Sequence, residues 1–75
     1  MDREVEIGRV YHHFKGNDYI VIAIALDCDD LSKKVVYKSV IDNKYWVRDY
    51  LEFLSLVDKE KYSDIEQKYR FELKD

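Results

Sequence analysis

Tyr11-His12-His13-Phe14-Lys15-Gly16-Asn17-Asp18-Tyr19 decides how this chain is read. Gly16-Asn17-Asp18 is a turn signal. Gly takes positive φ without a Cβ clash, and Asn and Asp tolerate the left-handed region and bond to nearby backbone. Aromatic and β-branched residues flank the turn on both sides, which predicts a β-hairpin. Side chains alternate along a strand, so Val10, His12 and Phe14 share one face and Tyr11, His13 and Lys15 the other. Val10 and Phe14 make the first face the candidate for the core. Tyr11, His13 and Lys15 are then an amphipathic row toward solvent or a ligand.

Working outward, the first strand is expected over about residues 9–15, with Gly8 marking a bend at its start. Residues 19–26 form the second strand. Both of its faces are apolar, Ile20, Ile22, Ile24 and Leu26 on one and Tyr19, Val21, Ala23 and Ala25 on the other, which suits a central strand. A polar connector follows, residues 27–34. Residues 35–41 are the third strand, with Val35, Tyr37, Ser39 and Ile41 on one face. Asp42-Asn43-Lys44 is a tight turn into a fourth strand over residues 45–49. Residues 50–54 read as one helical turn, against a competing longer helix over 50–62 whose apolar spacing is imperfect. Ser63-Asp64-Ile65-Glu66 matches a capping box, a common pattern. Residues 67–73 alternate Tyr69, Phe71 and Leu73 against Lys68, Arg70 and Glu72, a half-buried closing strand.

Seventy-five residues make one domain, residues 1–75, with the charged residues 1–6 expected to fray. A chain of this size buries only about 60% of its unfolded surface. Seven Tyr, three Phe and one Trp supply the large side chains such a small core needs. The net charge of −3 lacks the basic excess of a dedicated phosphate-backbone binder. Cys28 is the single cysteine, which excludes an internal disulfide and fits a reducing compartment. No signal peptide or membrane-length apolar run is seen, so a cytoplasmic protein with no membrane partner is expected.

His13-Phe14-Lys15-Gly16-Asn17, then Tyr19, Ile24-Ala25, Val35-Val36-Tyr37, Trp46-Val47-Arg48 and Arg70-Phe71, resembles the bacterial domain of unknown function family numbered 1653. The resemblance runs from about Ile7 to Leu73. It implies a small SH3-like β-roll and no known activity. Two departures stand out. Relatives commonly carry His-Ser-Glu-Thr where this chain has Asp27-Cys28-Asp29-Asp30, and Pro where it has Asp49. The combined expectation is a mainly β domain: a small SH3-like β-roll or barrel of about five antiparallel strands with one short helical turn.

The chemical readings are narrower. Asp27, Asp29 and Asp30 resemble the opening of a calcium loop but lack its glycine and its bidentate Glu, so they read as a solvated hairpin loop. His12 and His13 point to opposite faces and cannot readily share a metal, and their spacing to Cys28 matches no zinc pattern. Acidic neighbours would raise the Cys28 thiol pKa and blunt its reactivity. No phosphate loop or nucleophile elbow is present, and no cofactor, metal or catalytic residue is assigned. The remaining set is Tyr11, His13, Lys15, Tyr37, Trp46 and Arg48, aromatic faces and cations on one side of the fold. Trp46 is the ring expected in the core; Lys15 and Arg48 are the side chains expected in the open. The leading expectation is a noncatalytic module holding a peptide or protein partner on this face. RNA or nucleotide binding through the same face is the alternative, and a small enzyme using His13 as acid/base is the third reading. The strand over 67–73 is a candidate edge for homodimer pairing.

Overall fold

The computed structural model describes residues 3–74. Five strands and one helical turn follow each other as β1 (Val10–His13), β2 (Asp18–Leu26), β3 (Lys33–Ser39), β4 (Tyr45–Asp49), α1 (Tyr50–Phe53) and β5 (Phe71–Leu73). All pairings are antiparallel, in the order β4-β3-β2-β1-β5. The Gly16 turn forms as its sequence predicts. Gly16 takes φ +113°, its N–H donates to His13 O at 2.8 Å, and the His13 N–H donates to Asn17 O at 2.8 Å. The turn sets the β1–β2 register: Val10 opposite Ile20, Tyr11 opposite Tyr19, His12 opposite Asp18. Asn43, at φ 60°, makes the β3–β4 hairpin, its N–H bonding Ser39 O and the Ser39 N–H bonding Lys44 O.

The expected SH3-like roll or barrel does not form. The sheet is open, because its end strands β4 and β5 do not pair with each other. The closing element is too short and is otherwise engaged. β5 has three residues and pairs with β1, while the chain before it folds back on residues 55–57: Leu56 bridges Tyr69, Arg70 N–H donates to Ser55 O and Val57 N–H to Lys68 O. The longer helix over 50–62 is absent, since α1 ends at Phe53, and residues 63–66 form no helix. Asp49 precedes α1 without a side-chain capping bond, and its carboxylate stands 3.4 Å from Lys34 Nζ.

The core is Tyr11, Val21, Val35, Tyr37, Phe53 and Phe71. Three expectations about facing are corrected. Tyr11, read as part of a solvent or ligand row, is 1% exposed, so β1 turns its other face inward. Its hydroxyl accepts the Glu6 N–H at 2.9 Å, which satisfies the buried polar end. Trp46, expected in the core, is 50% exposed, because β4 is an edge strand on which Tyr45 and Val47 are exposed too. The simple alternation of β2 is broken by a register shift between Val21 and Ala23, so Val21 and Ile24 both pack inward and Ile22 turns out. A bulge of this kind re-aims side chains midway along a strand.

Residues 3–6, expected to fray, are tied down. Arg3 donates to Leu54 O at 2.8 Å and Phe71 O at 2.7 Å, and its guanidinium lies 3.8 Å from the Tyr69 ring centroid. The same expectation for Met1 and Asp2 lies outside the described residues. Phe53 stacks on Phe71 with centroids 4.1 Å apart and planes 8° from parallel. Phe53→Ala should therefore cost about 3–5 kcal/mol, whereas Trp46→Ala on the exposed edge should cost under about 1 kcal/mol. Urea denaturation of the two variants measures both, and equal losses would contradict this packing.

Candidate functional site

Where the sheet fails to close, a cavity of about 250 Å³ remains, lined by His13, Phe14, Lys15, Arg48, Val57, Asp58, Lys61, Tyr62 and Arg70. The end of β1 supplies His13, the β1–β2 turn supplies Phe14 and Lys15, β4 supplies Arg48, and the segment between α1 and β5 supplies the rest. Four cations face one carboxylate here, in a chain whose net charge is −3. The Asp58 carboxylate is also committed to its own turn: Oδ1 accepts the N–H groups of Glu60 and Lys61 at 3.1 and 3.4 Å.

Both guanidiniums are held from behind. Arg48 Nε donates to the Tyr37 hydroxyl at 3.3 Å, and Arg70 Nε donates to Ser55 Oγ at 3.2 Å. Each bond engages the side chain through Nε and not through its terminal Nη groups, of which Arg48 Nη1 lies 3.8 Å from Glu52 Oε1. Lys15 and Lys61 stand on Tyr62, each with Nζ 5.5 Å from its ring centroid. The hydrogen bond from Lys15, with the nearby charges of Lys15 and Lys61, holds the Tyr62 phenol below its ordinary pKa. Phe14 packs edge-on against Tyr62 with centroids 4.9 Å apart.

His13 lies at the junction of core and cavity, 4.7 Å from the Phe71 ring centroid and 4.6 Å from that of Phe14. Partial burial, then the charges of Arg48, Arg70 and Lys15, lower its pKa from 6.5 to about 4. The hydrogen bond from the Lys15 N–H to Nδ1, 3.1 Å, agrees with a neutral ring. With Nδ1 accepting, Nε2 carries the proton and is a donor. His12 faces away and pairs with Asp18 Oδ1 at 2.6 Å.

Of the six residues singled out in the sequence, His13, Lys15 and Arg48 line this cavity. Tyr37 lies beneath it, 4% exposed, and positions Arg48. Tyr11 belongs to the core and Trp46 to the outer edge, and neither lines the cavity. Phe14, Val57, Asp58, Lys61, Tyr62 and Arg70 were missed. Lys61 reads as part of a solvated charge run, and Arg70 as the polar side of a closing strand. The available signal was the family resemblance, whose stretches include Phe14 and Arg70.

Asp27, Cys28 and Asp29 form the one metal-sized donor group among the described residues. It is an exposed turn in which Asp27 Oδ1 accepts the Asp29 N–H at 2.8 Å. Among the described residues no helix is long and apolar enough to cross a membrane.

These features define a small mainly β domain, an open five-stranded sheet with an aromatic core and a cationic cavity at the gap between its edges. The chain belongs to the bacterial protein family of unknown function DUF1653, whose model matches residues 9–73. No curated protein and no solved structure matches it.

The His13 environment has a consequence for stability. The ring takes up its proton near pH 6.5 when unfolded but only near pH 4 when folded. Below pH 6.5 the unfolded state therefore binds more protons, and stability falls as pH drops from about 6.5 toward 4. His13→Gln should remove this slope, so the wild type should lose roughly 1 kcal/mol more than the variant between pH 7 and pH 5, allowing for solvent screening at a half-exposed ring. Urea midpoints of the two proteins at both pH values test this, and parallel losses would contradict it.

Proposed function

We propose that the chain is a noncatalytic binding module that holds an anionic group of a peptide or protein partner in the cavity of His13, Lys15, Arg48, Lys61 and Arg70. The observation that carries this reading is the concentration of four cations around one small cavity in an acidic chain. Cations dispersed for solubility alone would not gather against the net charge in this way. The cavity is smaller than the roughly 300–1,000 Å³ of an ordinary small-molecule site, so it suits a charged side chain or terminal group better than a whole substrate. A His13 held neutral, with a pKa of about 4, is poorly matched to proton transfer near pH 7, which weighs against the acid/base reading.

RNA is the second reading. Its support is the exposure of Trp46 and Tyr45 on β4, 50% and 63%, which offers stacking rings on the strand that carries Arg48.

The test is an NMR titration of labelled protein with acidic peptides and, separately, with total RNA. Binding through this cavity should move the signals of His13, Lys15, Arg48 and Arg70. The folded double variant Arg48→Gln, Arg70→Gln should bind at least about tenfold more weakly. Peptide shifts without RNA shifts support the first reading. RNA shifts with a steep loss of affinity in salt favour the second. Silence in both titrations overturns both.

A further inference from the structure

The arrangement of donors around the cavity narrows the anion. A carboxylate is planar and presents two oxygens, and one guanidinium fork satisfies it. Here two forks come from different parts of the chain, Arg48 from β4 and Arg70 from the residue before β5. Each is anchored through Nε, Arg48 to Tyr37 and Arg70 to Ser55, so their terminal nitrogens are positioned before any ligand arrives. Two ammonium groups, Lys15 and Lys61, flank Tyr62 on other segments of the wall, and His13 adds a neutral N–H donor. Donors converging from the turn, the edge strand and the long connection match a tetrahedral group with three accepting oxygens better than a flat one with two.

The charge count points the same way. Four cations oppose a single carboxylate, Asp58, which already accepts two backbone N–H groups. Glu52 Oε1 stands 3.8 Å from Arg48 Nη1, a partly exposed ion pair that offsets one more of these charges and leaves an excess of two. The wall thus carries charge enough for a dianion. About 250 Å³ admits a compact anion with a short stem.

Building on the reading of an anion-holding module, we infer that the cavity between β4 and β5 is a receptor for a phosphate monoester dianion, gripped by Arg48 and Arg70 and flanked by Lys15 and Lys61. The same chemistry is carried by a phosphorylated side chain and by a nucleoside monophosphate. Arg48 and Arg70 are the specificity-determining pair. Lys38 lies on β3 outside the cavity lining and is the matched charge control.

The test uses the full chain and four small probes at constant ionic strength: methyl phosphate, sulfate, succinate and acetate. Affinities come from chemical-shift titrations at pH 5.0 and pH 7.5. Methyl phosphate and sulfate should shift His13, Lys15, Arg48 and Arg70, and succinate and acetate should bind at least about tenfold more weakly. A phosphate monoester loses its second proton near pH 6. Methyl phosphate should therefore tighten roughly five- to tenfold between pH 5.0 and pH 7.5. Sulfate, a dianion at both values, should stay level, and it corrects for any titration of the protein itself. Arg48→Gln and Arg70→Gln should each weaken methyl phosphate about tenfold, Arg70→Lys should weaken it by losing the fork, and Lys38→Gln should leave it unchanged. A phosphoserine peptide and a nucleoside 5′-monophosphate run alongside separate the two carriers, and tighter binding than methyl phosphate by either one supports the inference. Succinate or acetate binding as tightly as methyl phosphate overturns the inference and leaves the anion-holding reading in place. So does an affinity for methyl phosphate that ignores pH. Failure of all four probes to bind overturns both.

Discussion

The stacked pair Phe53 and Phe71 holds the molecule together. Their rings lie 4.1 Å apart and nearly parallel, with Tyr37 edge-on to both and Tyr11 edge-on to Phe53. Phe53 comes from a helix of four residues and Phe71 from a strand of three. Neither element is long enough to be stable alone. Each persists because its one fully buried ring locks against the other and against two long strands. The pair therefore does for this chain what extra strand pairing does in larger sheets, joining the end of the chain to its middle.

That cluster also supplies the floor of the cavity. His13 rests edge-on against Phe71, and the Arg48 guanidinium lies 5.9 Å from the Phe71 centroid. Tyr37 buries its ring in the core and offers its hydroxyl to Arg48. Core and site share residues, so the cations are placed by the packing that stabilises the fold. The open sheet follows from the same arrangement. Residues 55–57 and 68–70 pair with each other, and the space between the two edge strands is lined by charged side chains instead of a further ladder.

Much of this was legible in the sequence. The Gly16 and Asn43 turns, the strand at residues 45–49 and the single helical turn follow from local chemistry. His13, Lys15 and Arg48 were grouped by residue type rather than by position, and the stretches carrying the family resemblance also contain Phe14 and Arg70. The failures have physical causes. Both faces of β2 are apolar, so no pattern could mark the bulge after Val21. The two faces of β1 carry rings of similar size, and Tyr11 wins the core because its hydroxyl finds the Glu6 N–H inside. Trp46 reads as core by type, but its strand lies at the end of the sheet, a matter of strand order that composition does not record. Lys61 and Tyr62 reach the cavity through a long connection whose path depends on distant backbone bonds, and whether the sheet closes depends on the same path.

The gap between the edge strands also links occupancy to motion. β5 meets β1 at only three residue pairs, yet it carries Phe71, so its release takes the core stack with Phe53 apart as well. An anion held by both Arg48 and Arg70 would span the seam that backbone pairing leaves open, acting as a removable latch between the two ends of the sheet. Filling the cavity would then hold the C-terminal strand closed and raise the stability of the whole chain with the logarithm of ligand concentration above saturation. In such a domain the bound state differs from the free one chiefly in how often it opens.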